Sequence, residues 1–280
     1  MATGTSTTDL SRQRSGLWLH VLLGVLTLIM VAPFVWMVLT SLKTLPELGE
    51  PGWMPAKFQW RNYPEVFFVI PFLRFMANSL VVAGWVTALQ VLTSAMAAYS
   101  FARLQWPGRD RVFFLYLGTM MLPGLVMLIP NFEIMVKFGL VDSYAGLILP
   151  AAFSAFGTFL LRQFMLGIPK ALDEAAEIDG AGKWRIFWDV ILPLSRPGLV
   201  TLAIFTFVGN FQSFFWPLVM TKSVDKYTLP VGLLFFDTER GQATHLLMAG
   251  VTMSVVPLII VFVLLQRQLI RGIQIGAVKG

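Results

Sequence analysis

Residues 169–182 read Pro169-Lys170-Ala171-Leu172-Asp173-Glu174-Ala175-Ala176-Glu177-Ile178-Asp179-Gly180-Ala181-Gly182, and residues 183–193 continue as KWRIFWDVILP. In this apolar chain it is the longest polar interruption whose own residues spell two short helices. Pro169 suits a first helical turn, where its missing N–H has no partner to lose, and Gly180 or Gly182 can end the helix in a left-handed conformation. Ala171, Ala175, Ile178 and Ala181 or Gly182 recur near the helical period as a narrow ridge, flanked by Asp173, Glu174 and Glu177. Small residues on a ridge permit close approach. In the second half Trp184, Phe187, Trp188 and Ile191 fall at i, i+3, i+4 and i+7, an aromatic stripe suited to a headgroup interface, and Pro193 is expected to end it. The pair reads as a docking helix that fits a partner's groove, tied through an interfacial helix to a membrane span.

The surrounding composition sets the class. Of 280 residues 56% are hydrophobic and 13% charged, and the mean hydropathy is +0.73, far from an ordinary soluble domain. No cysteine is present, which excludes disulfides and thiol chemistry, and two histidines, His20 and His245, are too few for a histidine-built metal site. No catalytic and no metal-binding residues are assigned.

Windows of about 20 apolar residues, the length that crosses ~30 Å of hydrocarbon, fall near 17–41, 77–100, 112–130, 144–164, 198–219 and 246–266, predicting six transmembrane helices. Residues 1–16 are polar and predicted to be a disordered cytoplasmic tail. The run from Leu17 exceeds a signal-peptide core and is expected to be a retained first span. With the N-terminus inside, the inner segments hold 13 Lys and Arg against 7 Asp and Glu, and the outer segments 8 against 8. The whole +6 net charge is then cytoplasmic, which supports inward N- and C-termini. Scattered among membrane-flanking loops, these cations form no nucleic-acid groove.

Along the chain, residues 43–75 are rich in Pro, Trp and Tyr and read as an external cap or an aromatic belt. Ser94, Ala95, Ala97 and Ala98 let neighbouring helices approach closely. Pro123, Gly124 and Pro130 should bend or break the third span. Asn210, Gln212 and Ser213 lie among Phe211, Phe214, Phe215 and Trp216 at membrane depth, where polar groups are costly unless they face protein or water. Interhelical hydrogen bonds would explain them, and so would a substrate path through Asn210, Phe211, Gln212, Ser213 and Trp216, because sugars bind amides and aromatic faces.

The opening stretch also carries a resemblance. Glu174-Ala175-Ala176, three residues, Gly180, nine residues and Val190-Ile191-Leu192-Pro193 resemble the EAA loop of ABC importer permeases, with Val190 where the pattern has Ile. Ile178-Asp179-Gly180-Ala181 resembles the carbohydrate-uptake branch, as do Tyr99-Ser100-Phe101-Ala102-Arg103 with Pro107-Gly108-Arg109, and the terminal Gly276-Ala277-Val278-Lys279-Gly280. The resemblance implies an all-α integral membrane protein of type I ABC importer permease fold, a single permease domain over 17–280 with a cytoplasmic coupling loop at 165–197, in the cell membrane of a prokaryote. Glu174, Ala175, Ala176, Asp179, Gly180, Ala181, Leu192 and Pro193 would then dock an ATPase, with motion passing through Trp184–Pro193 into the fifth span. Implied partners are a dimer of ATPase subunits docking at 170–182, a homologous second permease and an extracytoplasmic solute-binding protein delivering a sugar. The chain itself is expected to bind no cofactor, ATP and Mg lying on the ATPase: in Gly180-Ala181-Gly182-Lys183 the first glycine of a phosphate loop would be Glu177 and the last position is Trp184. A permease for a glycerol phosphate ester is the near alternative. An ion-coupled carrier is disfavoured because no Asp, Glu, Lys or Arg lies within a span except at its margins.

Overall fold

A computed structural model describes residues 7–238 and 243–277, and these are mostly helical, with no strand among the described residues. The principal helices are α1 Thr7–Ser41, α2 Asn62–Val69, α3 Phe72–Arg103, α4 Arg109–Gly118, α5 Leu128–Lys137, α6 Tyr144–Ile148, α7 Ala155–Leu166 and α8 Ala171–Ile178. After them come α9 Lys183–Leu194, α10 Arg196–Phe211, α11 Phe215–Met220 and α12 Thr244–Ala277. Helix α1 begins at Thr7, so residues 7–16, expected as a disordered tail, extend the first span; residues 1–6 of that tail and Val278–Gly280 of the terminal motif lie outside the described residues.

Three helical stretches are long and apolar enough to cross a membrane: Trp18–Ser41, Phe72–Arg103 and Thr244–Gln266. The count reaches five if two bent pairs each make one span, Tyr144–Ala151 with Ala155–Leu166 (46°) and Lys183–Leu194 with Arg196–Phe211 (75°). Six unbroken spans are therefore not observed. The third window, 112–130, is split where Pro123 withholds an N–H and forces Leu122 into an extended conformation (φ −79°, ψ 121°). The fifth window, 198–219, breaks between α10 and α11 at Gln212–Phe214.

The chain forms two compact units. The smaller holds residues up to Val69 with Phe235–Met253. In it the segment after α1 is ordered by its own polar groups. The Asn62 amide donates to the carbonyls of Ser41 (2.8 Å) and Lys43 (2.9 Å), and the Glu47 carboxylate accepts from the N–H of Thr44 (2.7 Å) and of Ala56 (3.1 Å). Those backbone donors hold the Glu47 carboxyl below its ordinary range. Phe58, Trp60 and Tyr63 stack in series at 6.4 and 6.3 Å.

The larger unit, Ile70–Leu234 with residues from Ser254 onward, is organised on α3. At 1.5 Å per residue its 32 residues span about 48 Å, longer than a hydrocarbon core. Small residues let α7 and α10 pack on it: a Cβ on Gly157 of α7 would lie 2.6 Å from the Ser94 hydroxyl and 3.1 Å from Leu202 of α10. Ala95, Ala98, Tyr99 and Ala102 of α3 share one buried cluster with Leu161, Met165, Ile186, Phe187, Ile191 and Leu202. A second cluster toward the other end joins Val82, Val86, Met135, Leu147 and Met220.

Candidate functional site

Helix α8 ends as its sequence dictates. Gly180 adopts φ +79°, the Ala181 N–H donates to the Ala176 carbonyl at 2.9 Å, and the Gly180 N–H donates to Glu177 at 3.0 Å. This is a Schellman stop, in which a left-handed residue lets two N–H groups reach back to orphan carbonyls. Of the two candidate glycines Gly180 takes the role, since Gly182 stays extended (φ −74°, ψ 164°). Pro169 stands two residues before α8 and accepts the Leu172 N–H at 3.3 Å, outside the first turn expected for it.

The helix has an outer and an inner side. Glu174, Ala175, Asp179 and Gly180 are exposed, and Ile178 is 87% exposed, an unusual position for a β-branched hydrocarbon. Ala176 and Ala181 instead pack on the buried cluster of α3, as do Val190 and Leu192, while Pro193 is exposed. The acidic flank divides in the same way. Glu177 pairs with Lys183, and Asp173 turns inward to Arg103, Oδ2 to Nε at 3.4 Å. Burial pushes the Asp173 carboxyl above its usual range; Arg103 opposes this and Glu177 adds to it.

The end of α3 and the segment after it supply the other half of the site. Arg103 Nη2 donates to the Ile168 carbonyl at 2.9 Å, and the Tyr99 hydroxyl donates to the Lys183 carbonyl at 2.9 Å. Gly108, at φ +81°, turns the chain into α4, and Arg109 donates back to the Leu104 carbonyl at 3.2 Å. Arg162 of α7 lies 4.2 Å over the Phe113 ring and 3.7 Å from Asp110. The Arg109 hydrogen bond, with Arg162 assisting, lowers the Asp110 carboxyl.

In α9 the aromatic stripe is split. A π turn at Phe187–Ile191 rotates the face, so Phe187 and Ile191 are buried with Ile186 in the protein core, while Trp184 and Trp188 remain exposed. The stripe therefore does not lie whole in a headgroup interface. Nor does Pro193 end the helix: α9 runs to Leu194, and the bend falls at Ser195, before Pro197 opens α10.

The polar residues of the fifth span part company too. Asn210, Ser213 and Trp216 line one cleft of about 430 Å³ with Asn131, Phe214 and Phe215. Phe211 turns away into the core and stacks on Phe207 at 6.0 Å, and Gln212 is not in the lining. The Asn210 amide donates to the Thr206 carbonyl (2.8 Å), and the Trp216 Nε1 donates to the Gly146 carbonyl (3.1 Å).

On the opposite end of the unit, Asp142 sits at φ 57° with its carboxylate capping the 222–223 turn. Oδ1 accepts the N–H groups of Lys222 (3.0 Å) and Ser223 (3.1 Å), Oδ2 accepts the Ser223 hydroxyl, and Lys226 donates to its carbonyl. These donors, the Ser223 hydroxyl first, hold the Asp142 carboxyl far below the usual range. Asn78 joins α3 to the same loop through the carbonyls of Asp225 (2.9 Å) and Tyr227 (2.8 Å).

An exposed acidic helix carried on a membrane bundle is a feature that comparison can place. Residues 2–275 match the family described as binding-protein-dependent transport system inner membrane component. The chain belongs to that family. It is a permease subunit of an ABC importer, a multi-pass membrane protein. The permease is 35% identical over 257 residues to the arabinooligosaccharides transport system permease protein AraQ of Halalkalibacterium halodurans, covering 90% of this chain and 92% of that one. It is 32% identical to the diacetylchitobiose uptake system permease protein NgcG of Streptomyces coelicolor (93% and 88% covered) and 32% identical to the sn-glycerol-3-phosphate transport system permease protein UgpE of Yersinia pestis (94% and 97% covered). Its fold is that of a chain from a bacterial ABC transporter involved in the import of the acidic polysaccharide alginate, at TM-score 0.82, 23% identity and 95% and 99% coverage.

Two residues of the permease escaped sequence reasoning. Asp173 looked like surface charge, and only its place one turn before the half-buried Ala176 hints that it faces inward. Asn131 follows Pro130 just past the 112–130 window, so its polarity reads as an end signal, whereas α5 carries it into the cleft.

Proposed function

We propose that this permease imports a sugar or oligosaccharide, and that α8 is its docking helix for an ATPase carried on a separate polypeptide. The exposed outer side of α8 supports the reading: Glu174, Ala175, Asp179 and Gly180 offer charge and close approach to a groove, while Ala176 and Ala181 fasten the helix to the bundle. Leu192 and Pro193 brace the arm that follows. One docking helix per chain fits one subunit of an ATPase dimer, so a homologous second permease supplies the other. Nucleotide and Mg bind on the ATPase, and both termini of the permease face the cytoplasm.

A solute-binding protein delivers the sugar at the outer face, where the Asp142 and Asn78 network shapes the rim. The cleft lined by Asn131, Asn210, Ser213 and Trp216 offers amides and an aromatic face, and forms this subunit's share of the path. The relatives named for arabinooligosaccharide and diacetylchitobiose transport support the sugar class. The relatives named for sn-glycerol-3-phosphate support a phosphate ester as the second reading.

The test is reconstitution of the whole importer in vesicles. ATP-dependent uptake and ATPase stimulation by a binding protein loaded with a neutral oligosaccharide are expected. Uptake only of an anionic phosphate ester favours the second reading, and ion-driven uptake by this chain alone overturns both. Since the chain lacks cysteine, a single Ile178→Cys fixes orientation: labelling by an impermeant thiol reagent from the outside would also overturn the scheme.

A further inference from the structure

Arg103 closes α3, yet its side chain is only 3% exposed. A charge that merely stops transfer across the membrane would be solvated, and an arginine is seldom buried unless paired. Its partners lie at the entry of α8, the Ile168 carbonyl at 2.9 Å and the Asp173 carboxylate at 3.4 Å, and so on the docking element itself. Tyr99, one turn earlier on the same face of α3, holds the exit of that element through the Lys183 carbonyl at 2.9 Å. Both ends of the hairpin are thus fastened to one helix. The alternative strut, α9 into α10, is bent by 75° at Ser195. A sharp corner transmits a push poorly; Arg103 instead ties α8 to one unbroken helix through a hydrogen bond to the Ile168 carbonyl and an ion pair with Asp173.

We propose that Arg103 is a positioning residue for transport: with Tyr99 it locks α8 to the inner end of α3, so that the two move as one body and the ATPase stroke enters the membrane through α3. This rests on α8 being the docking helix. It departs from the route through Trp184–Pro193 that the sequence suggested.

The absence of native cysteine permits a spin-label pair at Gln105→Cys and Lys170→Cys, one on each side of the lock, in the complete importer with ATPase, second permease and binding protein. The distance between the labels is expected to stay the same with and without ATP. Asp173→Asn is expected to broaden that distribution at least twofold and to lower solute moved per ATP about tenfold, with the ATPase still co-purifying in wild-type amount; Asp173→Glu should return most of the loss. A label distance that changes with ATP in the otherwise unsubstituted chain overturns the proposal. So does an Asp173→Asn importer whose solute-to-ATP ratio stays within twofold of wild type, or one that loses the ATPase altogether. If Asp173→Asn does not accumulate, Arg103→Lys keeps the charge without the fork: a threefold or greater fall in solute per ATP supports the lock, and a wild-type ratio overturns it. Failure of the unsubstituted permease to retain any ATPase would instead sink the docking reading.

Discussion

Arg103 and Asp173 meet at 3.4 Å across the junction of α3 and α8, and their side chains are 3% and 18% exposed. The contact joins two stretches that lie 70 residues apart and that each resemble a separate motif of the same family. Burial raises the Asp173 carboxyl even with the guanidinium beside it, so desolvation outweighs the ion pair, as is common for charges removed from water.

Gly180 carries the first prediction. A side chain at φ +79° costs about 1–2 kcal/mol, so Gly180→Val should fray the end of α8 without disturbing insertion. Normal membrane abundance with loss of ATPase co-purification and uptake is expected. Gly180→Asn should keep most of the activity, because Asn tolerates the left-handed region. Full uptake by Gly180→Val would argue against the Schellman stop as the element that shapes the docking surface.

The cleft gives the second. Asn131→Leu and Asn210→Leu each remove one amide from the lining, and a lost hydrogen bond in the rate-limiting state corresponds to about tenfold in rate. Uptake should fall by that order while the ATPase remains bound. Gln212→Leu, outside the lining, should transport as wild type. Equal losses at all three positions would place the path elsewhere.

The Asp142 network depends on pH in a defined direction. The Asp142 carboxyl is depressed in the folded protein, so its contribution is present above the ordinary aspartate range near pH 4 and is lost only as the pH falls through the much lower folded value. Thermal unfolding in detergent should therefore show no Asp142-dependent change from pH 5 to 8, and Asp142→Asn should lower Tm by the same amount across that window. A difference that grows from pH 5 to 8 would exclude this carboxylate as the anchor.

Close packing around Gly157 gives the fourth. A Cβ there meets the Ser94 hydroxyl at 2.6 Å and Leu202 at 3.1 Å, and the extra methyls of Gly157→Val would force α3, α7 and α10 apart. Overpacking of this kind costs about 1–3 kcal/mol. A lower Tm is expected; an unchanged Tm would mean that α7 can shift without loss.

Much of this was legible in the chain. Helix α8, its glycine stop and its exposed acids follow from local rules, because spacing and φ preference act within a few residues. The break at Pro123 follows from the missing N–H. What failed was long range. Continuous apolar windows cannot show that Gln212–Phe214 interrupts the fifth span, or that a π turn sends Phe187 inward and Trp188 outward, because both depend on the neighbouring helices. Asp173 and Asn131 share that cause: which side of a helix meets a partner is set by the fold.

Helix α3 is clasped near both tips, through Asn78 to the 225–227 loop and through Arg103 to α8, and no proline interrupts the 32 residues that carry these holds. Such a member behaves as a see-saw plank rather than a chain of links. On the proposal that the stroke enters through α3, the two ends of this subunit share one timing, with no moment in which one mouth has answered and the other has yet to hear.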